Sequence, residues 1–179
     1  MLVPDPRPEP LCDIYTCKLA DATPLNARAI KAYLRERQAP DLRQTHHFHG
    51  RFENIYIPAE RLPEFTPIFE FALAAARRVL ACDKLRYGFW FNETPPGHRT
   101  SLHSHEELDE RLSAVYYLDA PGNGGDLVLH EDDARVHVTP RAGLLVLFPP
   151  DLPHEVEDNR SELTRLSVAF NFGPVEPAC

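Results

Sequence analysis

The chain has 179 residues, 43% of them hydrophobic, and a formal net charge of −8, enough for a single globular domain (1–179) with a buried core. Its basic residues are dispersed rather than gathered into a stripe, which argues against nucleic acid or an anionic membrane as a partner. The longest apolar run, Phe71 to Ala76, is far shorter than the ~20 residues of a membrane span, and Met1-Leu2-Val3-Pro4-Asp5 lacks the basic start and apolar core of a signal peptide.

Residues 1–10 hold Pro4, Pro6, Pro8 and Pro10, which favour an extended start, so this stretch is expected to be disordered. A helical front is expected over 24–82. From Asn26 to Gln38 the residues Ala27, Ile30, Ala32, Tyr33 and Leu34 recur at helical spacing, and Pro40 closes the run. A stronger helix is expected from Pro63 to Cys82, with Phe65, Ile68, Phe69, Leu73, Ala76 and Val79 on one stripe and Arg77 and Arg78 near its end. Four cysteines (Cys12, Cys17, Cys82, Cys179) form no CxxC pair and read as free thiols. With the missing signal peptide, this makes the cytoplasm the expected compartment.

After Asp83 the pattern changes to short β-rich runs: Leu85 to Asn92, Leu112 to Leu118, Asp126 to Leu129, Arg135 to Val138, Gly143 to Phe148 and Leu163 to Phe172. Pro95-Pro96-Gly97, Pro121-Gly122-Asn123-Gly124-Gly125 and Pro149-Pro150 punctuate them. The expected class is mainly β (α+β), a closed or sandwiched sheet covered on one face by the two helices, with its core over 84–173.

Two features of this half bear on chemistry. His103 and His105, two apart on an extended segment, face the same way, as a chelate requires, and His154 follows several strands later. In the run from Arg165 to Phe172, strand alternation puts Arg165, Ser167, Ala169 and Asn171 on one face and Leu166, Val168, Phe170 and Phe172 on the other. An arginine on a face lining a barrel lumen needs an anionic partner, and a ligand carboxylate beside the Ser167 hydroxyl would serve. A surface strand with Arg165 paired to an acid is the plainer possibility.

Pro96-Gly97 followed by Leu102-His103-Ser104-His105, then Leu112 to Leu118, Gly143 to Pro149, His154-Glu155-Val156 and Arg165-Leu166-Ser167, resembles the 2-oxoglutarate, iron(II)-dependent oxygenases. The likeness covers roughly Leu85 to Phe172. It implies a double-stranded β-helix, a jelly-roll or cupin-like barrel, in which a His-x-Asp/Glu pair and a distal His hold Fe(II). It also implies an Arg-x-Ser, here Arg165 and Ser167, that binds the far carboxylate of 2-oxoglutarate, with O2 as the other co-substrate. Tyr117, on the same strand face as Ser113 and Val115, is expected to contact the co-substrate as well, and Trp90 and Asn92, opposite Phe89 and Phe91, are further candidates.

The second ligand departs from the family pattern. If His103 is the first ligand, the set is His103, His105 and His154, as in a His-x-His subgroup of the superfamily. If His105 is the first, Glu107 completes a His-x-Glu pair and His103 sits outside the iron ligands. Spacing from Gly97 favours the first scheme and ligand charge the second, so both stay open.

The same residues are similar to the two cupin motifs, with His103, His105, Glu110 and His154 as ligands and no use for 2-oxoglutarate. That reading leaves Arg165 and Ser167 without a task. A non-catalytic β-sandwich binding module is a third possibility. The other histidines read as exposed or ordinarily hydrogen-bonded, although His46-His47-Phe48-His49-Gly50-Arg51 could border a substrate cleft. The implied activity is hydroxylation of a C–H bond in a small molecule or peptide side chain, with release of succinate and CO2. The front helices, Gln44 to Glu53 and the 121–125 loop would read the substrate, whose identity, like the oligomeric state, has no motif behind it.

Overall fold

The computed structural model describes residues 6–8, 13–48, 50–105 and 109–175. Within them two helices and twelve strands follow the chain order β1 (Arg7–Pro8), β2 (Tyr15–Lys18), α1 (Ala22–Glu36), β3 (Arg43–Phe48), β4 (Arg51–Tyr56), α2 (Thr66–Leu80), β5 (Leu85–Thr94) and β6 (Thr100–His103). β7 (Leu112–Asp119), β8 (Leu127–Glu131), β9 (Ala134–Val138), β10 (Leu144–Phe148), β11 (His154–Val156) and β12 (Arg165–Pro174) complete it. Eight strands form one sheet in the order β1-β2-β10-β7-β12-β5-β4-β3, and four form a second in the order β6-β11-β8-β9. Every pairing is antiparallel, and the two sheets make the double-stranded β-helix that the sequence implies.

The helices cover the outer face of the large sheet. α1 buries Ala22, Asn26, Ala29, Ala32 and Tyr33, a stripe of helical period, while Leu34 is 53% exposed. It starts four residues earlier than the periodicity predicts, because Asp21 in a left-handed conformation turns the chain out of β2, and Pro24 is tolerated in a first turn. α2 follows two short 3-10 turns (Ala59–Arg61 and Pro63–Phe65) and buries Ile68, Phe69, Phe71, Ala72, Ala75 and Ala76. These side chains meet Leu112, Ala114, Tyr116, Leu118, Leu166, Val168, Phe170 and Phe172 from β7 and β12 in the main core. The opposite face of the large sheet looks at the small sheet across a narrower core of Ile14, Tyr117, Leu127, Leu129, Val146 and Phe148. The alternation in β12 therefore sorts its apolar residues to the helices and leaves Arg165, Ser167 and Asn171 between the sheets.

Three expectations need correction. The front is not wholly helical: β3 and β4 form a hairpin that extends the large sheet beyond β5. Their sequences carry polar residues on both faces, so period-2 patterning, which needs one buried face, does not reveal them. Within the stretch expected to be disordered, Arg7 and Pro8 pair with Thr16 and Tyr15. Cys82 is disulfide-bonded rather than a free thiol, which removes the cysteine argument for a reducing compartment. Cys12 and Cys179 lie outside the described residues. No helix among the described residues is long and apolar enough to cross a membrane.

Asn26 fastens α1 to the strand that carries Tyr117. Its side-chain amide donates to the carbonyls of Leu118 (2.9 Å) and Tyr117 (3.3 Å), and its oxygen accepts from the Tyr116 hydroxyl at 2.7 Å. All three groups are buried, so the loss of Asn26 strands polar atoms away from water. Asn26→Ala should lower the free energy of unfolding by about 2–3 kcal/mol in urea titration; a change under about 0.5 kcal/mol would show that this anchor is dispensable.

Candidate metal centre and co-substrate pocket

The short β6–β11 ladder is what brings the first and last histidines together. His103 and His154 are direct register partners, and His105 lies just past the end of β6, its backbone N–H donating to the Pro150 carbonyl at 2.7 Å. The ring centroids of His103 and His154 are 4.3 Å apart, those of His103 and His105 5.0 Å, and those of His105 and His154 5.2 Å. One ring nitrogen from each lies within 4.8 Å of the other two, close enough to share one metal ion. Glu110, the extra ligand of the cupin-like alternative, is not in this group, and Glu107 lies outside the described residues.

The backbone sets the tautomers. His103 Nδ1 is 2.8 Å from the Ser101 carbonyl and His154 Nδ1 is 2.9 Å from the Leu152 carbonyl. A carbonyl only accepts, so both Nδ1 atoms carry the proton and both Nε2 lone pairs are left for a ligand role. Burial pulls the His154 pKa down to about 3, with His103 adding to the effect, and burial followed by His103 pulls His105 down to about 4. Both rings are therefore neutral near pH 7, the form that coordinates metal.

Arg165 stands on the same inner face. It is 2% exposed, and its guanidinium donates to the carbonyls of Gly125 (2.8 Å) and Gly124 (3.1 Å) and to the Thr94 hydroxyl (3.0 Å). Its Nε is buried without a hydrogen-bond partner, and among the described residues no carboxylate forms an ion pair with it. Desolvation lowers its pKa, opposed by Tyr117 and Asp126 and reinforced by Arg51. The surface-strand possibility for Arg165 is thus wrong: the cation is buried, and among the described residues no carboxylate is paired with it. Ser167 and Tyr117, cross-strand partners, are both buried beside it, and burial pushes the Tyr117 hydroxyl up to about 12, which keeps it a neutral donor.

Several elements of this pocket carry no sequence motif. The loop over 121–125, expected to face substrate, instead supplies two carbonyls to Arg165. Gly125 is required there: it has a φ of +86°, and a Cβ would fall 2.2 Å from the Glu157 carbonyl. Asn159 is fully buried and its amide donates to the carbonyls of Thr94 and Leu163, holding the β11–β12 connection against β5. Trp90 turns an edge toward His105, with centroids 5.7 Å apart. Asn92 donates to the Glu53 carbonyl and to Asn54 Oδ1, both at 2.9 Å. The glycines of the turn signal the bend but not its carbonyl directions, and Thr94 and Asn159 act through contacts distant in sequence.

Residues 87–173 match the sequence profile of the 2OG-Fe(II) oxygenase superfamily. Solved structures agree in fold. A Pseudomonas putida prolyl-4-hydroxylase is 22% identical, with a TM-score of 0.63 over 93% of this chain and 90% of that one. EvdO2 from Micromonospora carbonacea var. aurantiaca, complexed with 2-oxoglutarate, is 18% identical, with a TM-score of 0.67 over 94% and 89%. The non-heme α-ketoglutarate-dependent epimerase SnoN from nogalamycin biosynthesis is 15% identical, with a TM-score of 0.71 over 91% and 78%. A sequence comparison with curated proteins finds no match. The chain carries a match to the 2OG-Fe(II) oxygenase superfamily over residues 87–173, within the fold of these structures. It is a 2-oxoglutarate-dependent oxygenase that uses Fe(II), 2-oxoglutarate and O2.

The low histidine pKa values predict how the metal-free protein responds to acid. An unfolded histidine titrates near 6.5, so between that pH and about 3 to 4 the unfolded chain binds more protons than the folded one, and stability falls as pH falls. After chelation the melting temperature should drop from pH 6.5 to pH 4, His154 alone accounting for roughly 3 kcal/mol before solvent relaxation. His154→Gln should flatten that drop; an equally steep profile would mean that other groups drive it.

Proposed function

We propose that this oxygenase hydroxylates a C–H bond of a small molecule or a peptide side chain, with His103, His105 and His154 holding the iron and Arg165, Ser167 and Tyr117 holding 2-oxoglutarate. The observation that carries the co-substrate assignment is the buried Arg165 guanidinium, which among the described residues is hydrogen-bonded only to neutral groups. An isolated buried cation costs several kcal/mol unless an anion joins it, and a planar carboxylate fits the fork of an arginine. The far carboxylate of a diacid chelating the iron is such an anion, and the Ser167 and Tyr117 hydroxyls offer it further hydrogen bonds.

The bound iron would activate O2, the oxidant, one of whose oxygen atoms would enter succinate as 2-oxoglutarate loses CO2 and the other the hydroxylated product. The chain's own part is positional. Backbone carbonyls at Ser101 and Leu152 aim two Nε2 lone pairs at one point, and the Phe148 ring packs 4.8 Å from His154 and excludes water behind it. Arg165, fixed by three hydrogen bonds, sets where the diacid ends.

The Pseudomonas putida neighbour is a prolyl-4-hydroxylase, and a further neighbour in fold, 13% identical, is a prolyl hydroxylase in complex with a peptide fragment. These two likenesses support hydroxylation and leave the substrate class at small molecule or peptide.

Arg165→Met should raise the KM for 2-oxoglutarate about 10- to 100-fold in a succinate-release assay while the protein stays folded, since one charge-assisted contact contributes ~1.5–3 kcal/mol. An unchanged KM would remove the co-substrate assignment. His154→Ala should lose iron in metal analysis. Comparing the iron content of His103→Ala with that of Glu107→Ala separates the ligand schemes: loss only in His103→Ala supports three imidazoles, and loss only in Glu107→Ala supports the His-x-Glu pair.

A further inference from the structure

His46 breaks the regularity of its strand. Thr45 pairs with Asn54 and His47 with Phe52, while His46 between them takes a left-handed φ of 56°. Asp21, Ala81, Asn123 and Asp132, the other non-glycine residues with positive φ among those described, sit at helix ends or turns. In mid-strand such a backbone is costly for a side chain with a Cβ, and it survives where other contacts hold it.

Those contacts form a chain that fixes the imidazole. Asn92 Nδ2 lies 2.9 Å from the Glu53 carbonyl, an obligate acceptor, so this end of the Asn92 side chain is the amide nitrogen. The same nitrogen donates to Asn54 Oδ1 at 2.9 Å, which turns Asn54 Nδ2 toward His46 Nδ1, 3.1 Å away. An amide nitrogen only donates, so His46 Nδ1 is the acceptor, and Thr45 Oγ1 at 3.0 Å donates to it as well. The neutral ring therefore carries its proton on Nε2. Among the described residues, that Nε2–H has no hydrogen-bond partner.

The chain is part of a polar row across the large sheet. Tyr117 and Asn92 flank Ser167 as cross-strand partners, Asn92 reaches Asn54, and Asn54 reaches His46. One end of the row lies in the proposed diacid pocket and the other ends in a donor open to solvent. Asn92 shares a strand face with Trp90, whose ring centroid lies 5.7 Å from that of His105, so that donor lies on the metal side of the sheet. Trp90 and Tyr56, 6.2 Å apart, continue the same face.

We propose that His46 is a substrate-contacting residue whose Nε2–H donates to an oxygen acceptor of the substrate and thereby orients the C–H bond to be oxidised. The assignment rests on the proposed function above and narrows it to substrates with a carbonyl, carboxylate or hydroxyl oxygen near the oxidised carbon.

The test exploits two amides that place a donor differently. Glutamine reaches the position of Nε2, whereas asparagine reaches only that of Nδ1 yet tolerates the left-handed backbone better than histidine does. The iron-loaded protein is assayed for 2-oxoglutarate-dependent succinate release with free amino acids, their N-acetyl amides and sugar acids as oxygen-bearing probes, and with alkylamines and indole as probes without oxygen.

For an oxygen-bearing probe that stimulates the wild type, His46→Asn and His46→Ala should lose about tenfold in kcat/KM and in product formed per succinate, and His46→Gln should recover most of both. Equal performance of His46→Asn and wild type would show that His46 serves only its backbone. Stimulation confined to the probes without oxygen would equally overturn the assignment. Side-chain nitrogen NMR of the zinc-loaded protein should show the Nε2–H tautomer at His46; the Nδ1–H tautomer would break the chain of donors on which the proposal stands. Failure of the underlying oxygenase reading shows separately, as no 2-oxoglutarate-dependent succinate release from the wild type with any probe.

Discussion

A cation shut inside the barrel without an anion is the constraint around which this half of the molecule is arranged. Arg165 sits on β12, bordered by β5 on one side and β7 on the other, so its guanidinium cannot reach solvent. Two glycine carbonyls and a threonine hydroxyl meet much of its hydrogen-bonding demand, but they are dipoles, and Asp126 acts on the charge without forming an ion pair with it. The strand neighbours Ser167 and Tyr117 add further polar groups to the same pocket. Such a pocket is poor at stabilising the empty protein and well suited to a dianion, which restores the missing charge as it binds.

The β12 alternation was legible because both of its faces are specified: Leu166, Val168, Phe170 and Phe172 must meet α2, which forces Arg165 and Ser167 inward. The convergence of the three histidines was legible only by resemblance. Composition and spacing place His103 and His105 on one side of an extended segment, but the direct β6–β11 register that delivers His154 joins residues fifty-one positions apart along strands only three and four residues long. Strands that short hold too few side chains for a period to show. The β3–β4 hairpin escaped for a different reason. Its core-side residues, such as Ile55, are few, and at the sheet's edge polar side chains can occupy either face without penalty.

Edge position also accounts for where the polar row runs. Toward the centre of the large sheet both faces are packed, and polar groups there either pair with one another, as Tyr116 does with Asn26 and Ser113 with Asn171, or face the Arg165 pocket, as Ser167 and Tyr117 do. Toward β3 the inner face opens: the core between the sheets draws on β7 and β10 of the large sheet, and His46 and His47 on β3 are exposed. There Asn92, Asn54 and His46 can be aligned by hydrogen bonds without the cost of full burial. The hairpin thus converts a solvent-facing edge into an ordered extension of the barrel mouth. This makes the front of the chain more than a cover for the sheet.

Charge gives the two ligand schemes different physical consequences. Three neutral imidazoles leave a divalent metal with its full charge, and Arg165 adds one more, so a dianionic diacid would enter a site carrying three positive charges. With Glu107 in place of one imidazole the sum is two, which the diacid neutralises. The first arrangement binds the co-substrate more strongly by electrostatics, and it pulls less on the pKa of the histidines because no carboxylate favours their charged form. The low values at His105 and His154 arise from burial and then from His103, in surroundings where the close groups among the described residues are other imidazoles and aromatic rings. Among the described residues the site offers a cation lone pairs rather than negative charge, which suits a metal with affinity for nitrogen.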